Sequence, residues 1–229
     1  MLRSAQHFAE ATELLDQLAQ QDADGAISDN CLDIKPLRML GIVRGKNLLR
    51  YFLTAQGAAI PDSTRLQEML RQLCNARRDA QVCIEWQGWQ MRRYRDHAYT
   101  MHAVPPPVEF TVMWHGEAEI LLPTPHGVLY FINTIGQGIS IAKLQLGIAK
   151  IRSRRGGENI RINAARPQRD LKNLLQEHKM LPWQRDLLPL LFCNTDLVCA
   201  PGIAIANTYL AQPNEAGVVA IWRAGFTTG

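Results

Sequence analysis

The residues best placed to do chemistry lie in Arg152-Ser153-Arg154-Arg155-Gly156-Gly157-Glu158 and in Leu181-Pro182-Trp183-Gln184-Arg185-Asp186. Ten Lys/Arg fall between Lys150 and Arg185 (150, 152, 154, 155, 161, 166, 169, 172, 179 and 185), against three acids, Glu158, Asp170 and Glu177. That window carries +7 on a chain whose total is +4, so the remainder carries −3. Charge gathered in one segment is the electrostatic footprint of a phosphate-backbone binder. Guanidinium groups fork onto phosphate oxygens, and glycines let the backbone approach a ligand and turn N–H groups toward it. The competing reading is a solvated basic face without a ligand.

Other chemistries find less support. There is no Gly-x-x-x-x-Gly-Lys-Ser/Thr phosphate loop and no Gly-x-Ser-x-Gly nucleophile elbow. Gly136-Gln137-Gly138 has Ile141 where a dinucleotide fingerprint needs its third glycine, so it reads as a turn. His7, His97, His102, His115, His126 and His178 lack metal-ligand spacing, and His97, His102 and Cys83 make a weak trio. Cys31, Cys74, Cys83, Cys193 and Cys199 are odd in number with no Cys-x-x-Cys. That argues for buried thiols in a reducing compartment over a disulfide framework or zinc site. Trp86, Trp89 and Tyr94 suit either base stacking or strand core. No catalytic residue and no metal ligand is assigned, and a free-standing enzyme is the weakest reading.

The elements that must position the basic segment follow from periodicity. Phe8, Ala11, Leu14, Leu15 and Leu18 repeat at helical spacing. So do Ile42, Leu48, Leu49, Phe52 and Leu53, ending at Gly57, and Leu66, Met69, Leu70 and Leu73 after Pro61-Asp62-Ser63. Asp62 or Ser63 can cap that third helix. Val82, Ile84 and Trp86 alternate with polar neighbours, Gln87-Gly88 turns, and Trp89 to Tyr94 returns as a strand. Pro105-Pro106-Pro107 reads as a stiff connector.

Beyond the prolines, Phe110 to Trp114, Glu119 to Leu122, Val128 to Ile132, Ile139 to Leu144, Leu190 to Phe192, Leu197 to Cys199, Ile203 to Ile205 and Val218 to Trp222 read as strands. One helix is expected there, from about Arg169 to Lys179. Leu171, Leu174 and Leu175 face inward, with Arg169, Lys172, Gln176 and Lys179 on the opposite stripe. The expected class is α+β: a mainly helical domain with a small hairpin or meander over 1–104, a linker over 105–107, and a β-rich domain over 108–229. At 47% hydrophobic and 20% charged residues the chain is globular, with no apolar run long enough to span a bilayer and no signal peptide, so a cytoplasmic, membrane-free protein is expected.

Three stretches carry a resemblance. They are Arg152-x-Arg154-Arg155-Gly156-Gly157-Glu158, then Leu171-Lys172-Asn173-Leu174-Leu175-Gln176-Glu177, then Pro182-Trp183-x-Arg185-Asp186-x-x-Pro189-Leu190-Leu191, continued by Asp196-Leu197-Val198 and Pro201-Gly202-Ile203. Together they resemble the C-terminal domain of the tRNA(Ile)-lysidine synthases. Ala5 to Leu18, Leu49 to Gly57 with Pro61, and Met91-Arg92-Arg93-Tyr94 resemble that family's interdomain helix and substrate-binding domain more loosely.

In that family an ATP-dependent ligase joins lysine to the wobble cytidine of a CAU-anticodon isoleucine tRNA. The family's catalytic Ser-Gly-Gly-x-Asp-Ser loop has no counterpart, because no Ser-Gly-Gly occurs in this chain. The resemblance therefore implies a tRNA-recognition portion with tRNA as partner. Lysine, ATP and Mg would be bound by the absent catalytic domain, with no cofactor held here and a homodimer left open. The residues it singles out for RNA contact are Arg152, Arg154, Arg155, Arg169, Lys172 and Arg185, and the charge and glycine pattern of the segment adds Gly156, Gly157, Arg161 and Lys179. Asn163 to Gln168 departs from the family's glycine-rich turn, and Pro167 is placed to start the helix instead. The alternative is a phosphate- or protein-binding interaction module without RNA specificity.

Overall fold

A computed structural model describes residues 2–28, 30–77 and 80–225, with the backbone alone at 2–5 and 8. The Phe8 side chain of the expected first helix lies outside the described residues. The described residues divide into two compact units, the first ending at Val104 and the second beginning at Pro105.

In the first unit, α1 (Leu2–Ala23), β1 (Ile27–Ser28) and β2 (Cys31–Asp33) lead into α2 (Ile34–Ala55) and α3 (Ser63–Asn75). Asp33 accepts from the Lys35 N–H and Asp62 from the Arg65 N–H, so each helix begins where a carboxylate satisfies an orphan donor. Three strands, β3 (Cys83–Trp86), β4 (Trp89–Tyr94) and β5 (His97–His102), complete an antiparallel sheet of order β1-β2-β5-β4-β3. The turn Gln87-Gly88 sits at positive φ in both residues, the twist that a tight hairpin needs. Leu48, Leu49, Phe52, Leu53, Met69 and Leu73 pack on Leu32, Ile84, Trp86 and Met91 to form the core. Trp86 is thus core, its indole N–H donating to Ala59 O at 2.7 Å.

Two apolar expectations are corrected here. Leu14 and Leu15 on α1 are 65% and 45% exposed, because α1 meets α2 through polar bonds. Asn47 Nδ2 donates to Leu15 O at 2.6 Å, and Arg44 and Arg50 bind Asp22 and Asp16. Ile42 is also exposed, since Gly41 at φ 71° breaks α2 just before it and turns it off the buried face.

The second unit holds β6 (Thr111–Met113), β7 (Glu119–Leu121), β8 (Val128–Ile135), β9 (Ile139–Ser140), α4 (Ile141–Leu144), β10 (Ala149–Arg152), β11 (Asn159–Ile160), β12 (Arg169–Asp170), α5 (Leu171–Glu177), α6 (Pro182–Arg185), β13 (Leu190–Cys193), β14 (Asp196–Ala200), β15 (Ala204–Ile205) and β16 (Ala216–Arg223). One sheet runs β7-β8-β16-β9 and another β15-β14-β13-β10-β6. Period-two alternation lets the second sheet bury both faces. Ile151, Leu191 and Cys193 face Leu129, Phe131, Val218 and Ala220, while Leu190, Phe192 and Leu197 face Leu171, Leu174 and Leu175 of α5.

Ile139 to Leu144 is a two-residue strand followed by a helical turn rather than a strand throughout, because the Ser140 hydroxyl caps the Lys143 N–H. The expected helix from Arg169 to Lys179 is shorter at both ends. Asp170 accepts from the Lys172 N–H and starts α5, so Pro167 does not. His178 ends it, and Lys179 lies beyond at φ 55°.

Candidate nucleic-acid interface

The basic segment begins in β10, a strand between β6 and β13. Arg152 pairs with Leu190 across the sheet, so its side chain lies on the face of Phe192, and the guanidinium carbon sits 4.1 Å from that ring's centroid. Burial pushes this guanidinium below its ordinary value, while Glu158 pulls it back up.

Glu158 is the centre of the loop. Its side chain is 4% exposed, and Oε1 accepts the Arg155 N–H at 2.7 Å and the Gly156 N–H at 3.1 Å. Arg152 Nη1 stands 3.8 Å from Oε1, and Arg154 Nε 3.6 Å from Oε2. Gly156 and Gly157 both lie at positive φ (86° and 75°), which bends the chain back so that the carboxylate reaches those N–H groups. The expectation that the glycine loop turns its N–H groups toward a ligand is corrected at Arg155 and Gly156, because the chain's own carboxylate takes both. An anion cradle is present, and it is filled from within.

The ten expected contact residues separate accordingly. Arg185 is 8% exposed, and its Nε donates to Met180 O at 2.7 Å, so it holds the turn after α5. Arg154 is largely covered, its Nη1 donating to Arg185 O at 3.2 Å. Arg152 is half-buried as described. Exposed are Arg155, Gly156, Gly157, Arg161, Arg169, Lys172 and Lys179. Arg155 reaches Glu109 at 3.5 Å, and Arg169 binds Glu177. The expected stripe of Arg169, Lys172 and Lys179 along one helix does not form. Only Lys172 is helical; Arg169 belongs to β12 and Lys179 to the turn after α5. Arg169 and Lys179 flank α5, which itself carries Lys172.

Sequence reasoning counted Glu158 only as a charge. An acid directly after a Gly-Gly pair that follows three arginines was the available signal for its role. A separate cleft of about 340 Å³, walled by Trp114, Ile141, Leu144 and Ile148, has no Lys or Arg in its lining. Among the described residues no group of three His, Cys, Asp or Glu is placed to hold a metal, and no helix is long and apolar enough to cross a membrane.

Fold and site define a class, an α+β protein that presents cations from a braced, anion-filled loop. Residues 32–99 match the TilS substrate binding domain, and residues 149–222 match the TilS substrate C-terminal domain. The tRNA(Ile)-lysidine synthase of Nitrosomonas europaea is 38% identical over 97% of this chain and 49% of that protein. That of Coxiella burnetii is 32% identical over 94% of this chain and 48% of its own length. A solved structure of a TilS C-terminal domain overlaps 50% of this chain and 98% of its own, at 16% identity and a TM-score of 0.39. The chain belongs to the tRNA(Ile)-lysidine synthase family, and it spans about half the length of the curated relatives it matches.

Proposed function

We propose that this chain binds tRNA and serves as a substrate-recognition portion of a lysidine-forming ligase acting in the cytoplasm. The RNA would be an isoleucine tRNA with a CAU anticodon, and lysine would be joined to its wobble cytidine at the expense of ATP. Residues outside this sequence would carry that chemistry and would hold ATP, Mg and lysine, since the chain contains no Ser-Gly-Gly loop. The observation that carries the reading is a coincidence: the residues matching the substrate C-terminal domain also present Arg155, Arg161, Arg169, Lys172 and Lys179 to solvent. Exposed cations that neutralise phosphates release counterions, so affinity should fall steeply with salt.

Fluorescence anisotropy of the purified chain with unmodified isoleucine tRNA, against elongator methionine tRNA and across salt concentrations, tests this. Binding with a negative log–log salt slope of several units is expected. Preference for the isoleucine tRNA would put part of the identity check here. No binding at low salt would overturn the reading and favour a module for small anions or proteins.

A further inference from the structure

We propose that Glu158 is a positioning residue for RNA binding, an internal carboxylate that takes the place of a phosphate in its own loop and thereby fixes the cations around it. The inference rests on the tRNA-binding reading. Its side chain binds two successive N–H groups and stands between two guanidinium groups. Its backbone carbonyl accepts the N–H of Leu171 at 2.9 Å. One residue therefore ties the arginine loop to the first residue of α5. It fixes Arg155 on one side, and on the other the helix start that carries Lys172 and follows Arg169. A chain with this many cations close together would spread them through mutual repulsion. A buried anion between Arg152 and Arg154 offsets that repulsion and leaves the outward cations pre-arranged, which lowers the ordering cost of binding.

This role makes a prediction opposite in sign to simple electrostatics. Removing an acid from a basic patch should strengthen binding to a polyanion, as expected for Glu177, an exposed acid that occupies Arg169. Removing the charge of Glu158 should weaken it.

The test compares Glu158→Gln with Glu177→Gln in the full chain by tRNA anisotropy across salt, with hydrogen exchange at the Arg155 and Gly156 amides. Glu177→Gln should bind up to about threefold more tightly. Glu158→Gln keeps an acceptor oxygen but sets an amide NH₂ against Arg154, and it should bind about fivefold or more weakly. Its two amides, on otherwise exposed residues, should lose protection. Equal or tighter binding by Glu158→Gln overturns the proposal. Should that variant not fold, wild-type exchange decides: protected amides at Arg155 and Gly156 support the brace, and unprotected ones overturn it. Wild-type protein that protects both amides yet binds no tRNA refutes the RNA reading and not the brace, so the two failures are distinguishable.

Discussion

Arg93 in the first unit and Arg155 in the second are both arginines in basic runs, and they do opposite things. Arg93 is 3% exposed and donates to three backbone carbonyls, those of Leu73 and Ala76 at the end of α3 and of Arg95 in the next turn, at 2.7 to 2.8 Å. Burial pushes its guanidinium below the ordinary arginine value, with Arg38 adding to the shift and Asp96 opposing it. It is a helix cap in cationic form. Arg155 instead spends its backbone N–H on Glu158 and leaves its side chain outside. Arg185 lies in the basic window of the second unit yet behaves like Arg93, with its Nε on Met180 O. The difference teaches that a cation's job is set by the unpaired carbonyls within its reach. Helix ends consume arginines, and what remains outside is available to a ligand.

The comparison can be broken at several points. Arg93→Ala has the largest expected effect. Three carbonyls lose their donor, one in a buried bond and two in part-buried ones, so stability should fall by about 2–3 kcal/mol, while the folded fraction keeps its tRNA affinity. Chemical denaturation followed by circular dichroism, with binding measured below the transition, checks both halves. Arg185→Ala should cost about 1–3 kcal/mol in the second unit, and its affinity loss should follow the loss of folded protein. A large affinity loss at unchanged stability would move Arg185 among the ligand-facing cations.

Arg155→Ala combined with Lys172→Ala should do the reverse. Affinity should drop about tenfold and the salt slope should flatten by roughly two units, with stability within about 0.5 kcal/mol of wild type. An unfolded double variant would make these side chains structural.

The smallest effect concerns thiols and sharpens the contrast between units without touching either set of arginines. Cys83 is exposed, Cys31 is buried in the first unit, and Cys193 and Cys199 are buried in the second. Burial pushes the Cys199 thiol up to about 12. Only the thiolate attacks a labelling reagent, so raising the pH from 7 to 9 should leave Cys199 unlabelled in the native protein. Cys83 should label first, and the order in which Cys31 and Cys199 follow in denaturant would report which unit opens earlier. Native-state labelling of Cys199 at pH 9 would contradict its burial.

Much of the scaffold could be read from residue order. Leu48, Leu49, Phe52 and Leu53 repeat at helical spacing and lie buried, and Asp62 caps α3. Gln87-Gly88 turns the hairpin, and Leu171, Leu174 and Leu175 form the inner face of α5. These are short-range properties, fixed by neighbours within a turn of helix or a few strand residues. Leu14, Leu15 and Ile42 share the same periodicity and are exposed, because burial needs a partner surface that periodicity does not supply.

By itself, the sequence determined that the chain is α+β, that its cations concentrate between Lys150 and Arg185, and that those cations accompany motifs resembling one tRNA-modifying family. The tertiary structure decided which cations are presented. Arg185 and Arg154 are drawn inward by carbonyls and a carboxylate, while Arg155, Arg161, Lys172 and Lys179 stay out. It also turned Glu158 from one negative charge in a sum into the anchor of a loop. The physical reason is range. Local patterning follows from covalent neighbours, but the free energy of a charge depends on what surrounds it in space, and Glu158 meets Arg152, Arg154 and two N–H groups only once the chain has bent at two glycines.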